Sequence, residues 1–243
     1  MIWSGLAFGG ILSANADKGD ENRYFVDATA LTGGDGSRER PFSDIHSIMV
    51  ALQNPGNTKS EVWITGTFTE ALMLDPTMSG TPEQSLVIQQ WEGREQTFID
   101  TSSQPNASAI SYNGASYITI DGLHAKAGGD DTGSLPIFVN GSTGAIVRNG
   151  NFSGGGESGT CLSFSTNVTI ENNIFEDNEG NGILVPSVTG AVIRNNIIRR
   201  NASQEFSAGI FISASTDIII EGNTISDGAT DGIDGAGKFA QDT

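Results

Sequence analysis

The chain reads as short alternating runs of apolar residues separated by corners rich in Asn and Gly. Three segments make the pattern plain: Val168-Thr-Ile-Glu-Asn-Asn-Ile-Phe, Ala191-Val-Ile-Arg-Asn-Asn-Ile-Ile and Ile218-Ile-Ile-Glu-Gly-Asn-Thr-Ile. Each joins an apolar-x-apolar-charged start to an Asn-containing corner and a further apolar residue. Weaker copies begin at Ala145, Ile118, Leu86 and Val62, and successive starts lie 24, 32, 27, 23, 23 and 27 residues apart. A period that changes only through insertions predicts stacked coils with loops of varying length.

A second short strand recurs at a constant offset. Tyr112, Val139, Leu162, Val185 and Ile212 each stand eight residues before Ile120, Val147, Ile170, Ile193 and Ile220. Two residues earlier come Ile110, Ile137, Thr160, Ile183 and Ile210, so each pair shares one face of a strand. Gly159, Gly182 and Gly209 precede this strand, and Asn173, Asn196 and Asn223 fall into register at the next corner. Stacked Asn side chains there can bond one another and the turn backbone. The reading is all-β: a parallel β-helix with three short strands per coil, whose stability accumulates from coil to coil. Predicted inward positions include Ile110, Ile120, Val139, Val147, Phe152, Ile170, Phe175, Val185, Ile193, Ile198, Ile210, Ile212 and Ile220.

The beginning differs from the repeats. Tyr24 to Thr29 reads as a strand, Gly33-Gly-Asp-Gly-Ser as a turn, and Pro41 to Leu52 as an amphipathic helix with Ile45, Ile48 and Leu52 on one face. This segment, together with Ser79-Gly-Thr-Pro-Glu-Gln-Ser-Leu-Val-Ile, resembles the N-terminal portion of pectate-lyase-like β-helix proteins. The resemblance covers about residues 23 to 235. It implies a right-handed solenoid closed at its N-terminal end by the helix, and it is specific for fold and poor for activity. Residues 23–61 are expected to form the cap and 62–243 the coils. The stretch from Asp231 begins another coil before Thr243, so the coils are expected to be incomplete at the C-terminus. Residues 1–22 contain an apolar stretch ending in the small-x-small site Ala14-Asn15-Ala16 without a positive leading region. They stand either as an export signal or as a ragged N-terminus.

Charge narrows the partners. A formal net charge of −17 excludes an electrostatically driven nucleic-acid binder, which needs clustered Lys and Arg. No apolar run approaches the ~18 residues of a membrane span. The 32 Gly residues fit a turn-rich all-β chain, and the single Cys161 allows no internal disulfide.

The resemblance implies polysaccharide lyases, hydrolases and epimerases, with Lys or Arg as the lyase base and Ca²⁺ neutralising the uronate. The register column Asp121, Arg148, Glu171, Arg194, Glu221 alternates in sign, which reads as a surface ion-pair ladder. Outward positions of the strand after the Gly column are Ser111, Phe138, Cys161, Leu184, Phe211 and Asp234. That mainly apolar strip can stack sugars on Phe138 and Phe211, or lie under a loop or another chain. Lys126, Asp130 and Asp131, followed one coil later by Glu157, form the best base and Ca²⁺ constellation, since hard cations want several carboxylate oxygens. Arg199 is the second basic candidate, placed in a longer loop with Arg200 and Glu205. His46 and His124 lack zinc spacing, and Cys161 reads as a small packed residue. The segments Arg-x-Pro-x-x-Arg, Asp-Pro-His-Glu and the paired Asp of polygalacturonases are missing.

Two function classes therefore stand open. One is a secreted carbohydrate-active protein, extracellular or periplasmic, cleaving an acidic polysaccharide by β-elimination, with glycoside hydrolase or uronate epimerase as variants. The other is a non-catalytic surface or adhesion module that binds a glycan or a protein through its apolar strip.

Overall fold

Period-two alternation turns every second residue of a strand inward, and the coils satisfy their backbone groups by lying on one another. A computed structural model describes residues 20–128, 133–201, 207–228 and 231–241. Strands of three faces follow one another in each coil and pair in parallel with the coils before and after.

The first face runs through Arg23–Asp27, Glu61–Thr65, Leu86–Gln90, Ile118–Asp121, Ile146–Arg148, Thr169–Glu171 and Val192–Arg194. The second is a seven-stranded sheet from Thr67–Phe68 through Phe98–Asp100, His124–Lys126, Asn151–Ser153, Ile174–Glu176 and Ile197–Arg199 to Thr224–Ser226. The third runs through Leu72–Leu74, Ile110–Asn113, Ile137–Asn140, Ser158–Ser163 and Asn181–Pro186. Strand Ala208–Glu221 turns the corner unbroken, contributing its first half to the third face and its second half to the first. Asp231–Gln241 adds the last rung beside it.

All thirteen predicted inward residues are buried. Ile170, Ile193 and Ile220 are register partners in successive rungs. Phe152 and Phe175 stack with ring centroids 5.3 Å apart. The glycine column exists because the next coil arrives too closely for a side chain. A Cβ on Gly182 would stand 2.3 Å from Ile198 Cγ2 and 2.6 Å from the Gly209 carbonyl oxygen.

Corners carry the buried polar groups. Asn196 Oδ1 accepts from Asn173 N at 3.0 Å and from Asn173 Nδ2 at 3.2 Å, while Asn196 Nδ2 donates to Asn223 Oδ1 at 2.9 Å. A second amide ladder, absent from the sequence reading, links Asn178 Nδ2 to Asn201 Oδ1 at 2.8 Å. Each amide replaces the water that a buried corner cannot admit.

The helix spans Ile45–Gln53, with Asp44 as its N-cap accepting from Ser47 N at 2.7 Å. The expected start at Pro41 lies outside it, because the Asp44 cap defines the first helical residue. Ile45, Ile48 and Leu52 face the core and cover the first rungs of the first and third faces. Arg23–Asp27, assigned to the cap from sequence, is itself a rung, paired residue for residue with Glu61–Thr65. Of the expected leader at residues 1–22, residues 1–19 lie outside the described residues, and Asp20–Asn22 form a single 3-10 turn before the first strand.

Candidate functional site

Outward side chains of the third face form one column, in the order Met73, Ser111, Phe138, Cys161, Leu184, Phe211, Asp234. Exposure varies sharply along it. Met73 is 53 % exposed, Phe138, Leu184 and Phe211 are half-buried, and Ser111 and Cys161 are buried. The strip is thus partly covered rather than wholly roofed or wholly bare.

Over its first three rungs lies a cleft of about 560 Å³. Met73, Ser111 and Phe138 make the floor. The helix supplies His46 and Met49 on one side, and Gln104, Asn106 and Ser108 of a loop stand on the other. Gln104 Nε2 donates to the Thr69 carbonyl, which ties that loop to the first coil. Glu70, also on the wall, accepts from Ile45 N at 3.0 Å, so its carboxylate holds the helix start. The cleft therefore combines an apolar floor with amide and hydroxyl rims, and carries one engaged carboxylate and one imidazole. Such a surface suits a ligand with apolar ring faces and many hydroxyl groups.

Lys126 and Glu157 of the expected base constellation lie among the described residues. Lys126 ends strand His124–Lys126, is exposed, and makes no ion pair among the described residues. Asp130 and Asp131 lie outside the described residues. Glu157 is exposed on the loop before Ser158–Ser163, and desolvation raises its pKa above the ordinary carboxylate range. Among the described residues no three His, Cys, Asp or Glu side chains converge. Of the three expected calcium ligands, Glu157 is the one that lies among the described residues.

Arg199 corrects its expected placement. It closes strand Ile197–Arg199 instead of sitting in a loop, and its guanidinium is held by Glu176 at 2.7 Å. Arg200 binds Glu176 and Asp177, each at 2.7 Å. Burial pushes the Glu176 carboxyl up, but hydrogen bonds from Asn151, Arg199 and Arg200 outweigh it and hold the pKa low. Arg199 thus ties its strand to the preceding rung through Glu176. Lys126 and Arg199 share one column with Ser153 and Glu176 between them, which separates them by roughly 14 Å. Glu205 lies outside the described residues.

The other readings resolve simply. Arg148 pairs with Asp121 at 2.8 Å and Arg194 with Glu171 at 2.6 Å, the expected ladder. Desolvation, with the Glu157 charge added, pushes the Cys161 thiol up to about 12, so it stays protonated and inert at neutral pH. A second cleft of about 520 Å³ opens at the N-terminal end beside Trp91. Its arginines already have carboxylates: Arg38 with Asp20 at 2.6 Å, Arg40 with Asp35 at 3.1 Å, Arg94 with Asp27 at 3.9 Å. Sequence reasoning missed His46, Glu70, Gln104 and Asn106 in the first cleft. His46 comes from the cap helix, Glu70 from the turn between Thr67–Phe68 and Leu72–Leu74, and Gln104 and Asn106 from a loop, none of which carries a repeat signal.

A solenoid of parallel three-strand coils with amide ladders, closed at one end by a helix, is a β-helix of the kind that presents a long sheet face to a ligand. The chain belongs to the family described as right handed beta helix region, whose profile matches residues 87–240. No curated protein matches the chain in sequence. Among solved structures it is similar to a lacto-N-biosidase from Eubacterium ramulus. That match has 14% identity and a TM-score of 0.62, and it covers 84% of this chain and 52% of that one. It also resembles a rhamnogalacturonan lyase, with 11% identity over 84% of this chain and 74% of that one, TM-score 0.55. A pectate lyase, Pel9A, gives 11% identity over 91% and 78%, TM-score 0.51. The chain spans about half the length of the lacto-N-biosidase, and at these identities the likeness is one of fold.

Proposed function

We propose that the protein recognises a glycan chain on its third face, with the cleft over Met73, Ser111 and Phe138 as the recognition site. The observation that carries this is the cleft's chemistry: a half-buried phenyl and a thioether beneath, amides and hydroxyls at the rim. Structures of similar fold that are named as carbohydrate-cleaving enzymes support the same ligand class. Among the described residues no helix is long and apolar enough to cross a membrane. An extracellular or periplasmic setting, where polysaccharide is met, agrees with this reading.

The binding face favours recognition over cleavage. Glycoside hydrolysis uses two carboxyl groups flanking the bond, and among the described residues the cleft wall offers Glu70, already bound to the Ile45 amide. Phe138→Ala removes the aromatic floor and should lower affinity for the recognised oligosaccharide at least tenfold, with the thermal midpoint nearly unchanged. Titration calorimetry over a glycan panel checks it; equal affinity of wild type and variant removes the cleft from the reading.

Lys126 favours a second reading, β-elimination of an acidic polysaccharide, because it is an exposed lysine at the end of a second-face strand, without an ion pair among the described residues. An ultraviolet-absorbing unsaturated product from pectate, alginate or a glycosaminoglycan with Ca²⁺, lost in Lys126→Ala, would establish it. Absence of that product on every substrate discards it.

A further inference from the structure

Phe164 follows strand Ser158–Ser163 at the corner between the third and first faces. Its φ of 49° lies in the left-handed region, which a bulky L side chain rarely enters, and 72 % of it is exposed. The backbone ladder aligns this corner with Gly114, Gly141, Ser187 and Ala214: Gly141 N donates to Ser163 O, Phe164 N to Pro186 O and Ser187 N to Ser213 O. All five positions have positive φ. Glycine, which carries no Cβ, is the residue such a corner favours.

Ser187 and Ala214 share this left-handed backbone, and what sets the Phe164 rung apart is a bulky phenyl ring held in water where its neighbours carry small side chains. A large exposed aromatic ring that no packing requires marks a surface for a ligand. The flanking rungs, Gly141 and Ser187, are small and leave the ring accessible. The neighbouring outward column reads Asn113, Asn140, Ser163, Pro186, Ser213, with no ionisable group in it. Phe138 pairs with Cys161, three residues before Phe164. The two rings thus stand roughly 10 Å apart along the strand and one rung apart across it. That is about the span of two pyranose units, with Asn140 and Ser163 between them.

We propose that Phe164 is a second stacking platform for the chain held over Phe138, and that the recognised glycan is built of uncharged sugars, hexoses or N-acetylhexosamines. This rests on the glycan reading above. One sugar lies with its C–H face on Phe138, and a later one lies on Phe164. Asn140 and Ser163 bond the hydroxyls between, and among the described residues their column carries no cation to meet a uronate.

The test uses the full chain and measures binding of di- and tetrasaccharides of β-1,4-galactan and of N-acetyllactosamine, with tetragalacturonate as the charged counterpart. Phe164→Gly should weaken tetrasaccharide binding several-fold, leave disaccharide binding unchanged, and keep or raise the thermal midpoint because strain is relieved. Phe164→Tyr should retain affinity. Unchanged tetrasaccharide affinity in Phe164→Gly, alongside loss in Phe138→Ala, overturns the second platform and leaves the cleft standing. No binding of any neutral chain by the unaltered protein overturns both. Tighter binding of tetragalacturonate than of either neutral tetrasaccharide overturns the uncharged class. If sedimentation shows self-association that Phe164→Gly abolishes while sugar affinity is unchanged, the ring is a contact between copies and the proposal fails.

Discussion

Thr160 is the odd residue of an otherwise aliphatic column, flanked in register by Ile137 and Ile183. Its hydroxyl is buried and has no hydrogen-bond partner among the described residues. An unsatisfied buried polar group costs about 1–3 kcal/mol. Thr160→Val keeps the branched shape and removes the orphan, so it should stabilise the fold by about 1 kcal/mol, read as a higher urea midpoint at unchanged slope. Cys161, beside it in sequence, faces the other way and is buried as well. At this scale side-chain direction was legible from alternation alone. Exposure was not: Cys161 and Leu184 occupy equivalent outward positions, yet one is buried and the other only half so.

At the scale of the element, the corner differs from the strand it joins. Asn195 and Asn196 are neighbours with opposite tasks. Asn195 has φ 56°, a left-handed corner conformation that Asn tolerates, and its side chain is exposed. Asn196 is buried and accepts from Asn173 on one rung while donating to Asn223 on the next. Asn195→Gly should change stability by less than about 0.5 kcal/mol, since glycine accepts the same φ. Asn196→Ala leaves the buried Asn173 amides without their acceptor and should cost about 2–4 kcal/mol, at one to two unsatisfied groups. Denaturant titration of the two variants separates the roles. The repeat put Asn173, Asn196 and Asn223 in register from sequence. The Asn178–Asn201 ladder escaped notice because it spans only two rungs, in loops whose lengths differ.

The whole molecule is a column of coils in an acidic envelope. Its cations are largely spent on intramolecular pairs: Arg148, Arg194, Arg199 and Arg200 all bind carboxylates of neighbouring rungs. With a net charge of −17, a polyanion approaches against repulsion that added salt screens. Affinity for an uncharged glycan should therefore be flat between low and physiological ionic strength, while any affinity for a polyuronate should rise with salt. Calorimetric titrations at two salt concentrations distinguish these behaviours. A polyuronate affinity that falls with salt would reveal a cationic subsite and return weight to the Lys126 reading.

The sequence by itself determined the solenoid, its inward residues and the ion-pair ladder. A period near 23–27 residues allows only one way for apolar side chains and corner amides to meet their copies. It also determined that Phe138 and Phe211 point outward, because alternation fixes the face. Tertiary structure alone decided which outward positions are reachable. The helix and the Gln104–Ser108 loop are not repeats, and their docking over Met73 and Ser111 makes a cleft at one end of a face that the sequence showed as uniform. It also decided that Arg199 is bound and that Phe164 is strained, since both follow from what stands on the adjoining rung. Local pattern specifies a residue's own direction, but the partner that meets it is set by how loops of unequal length bring distant coils into register.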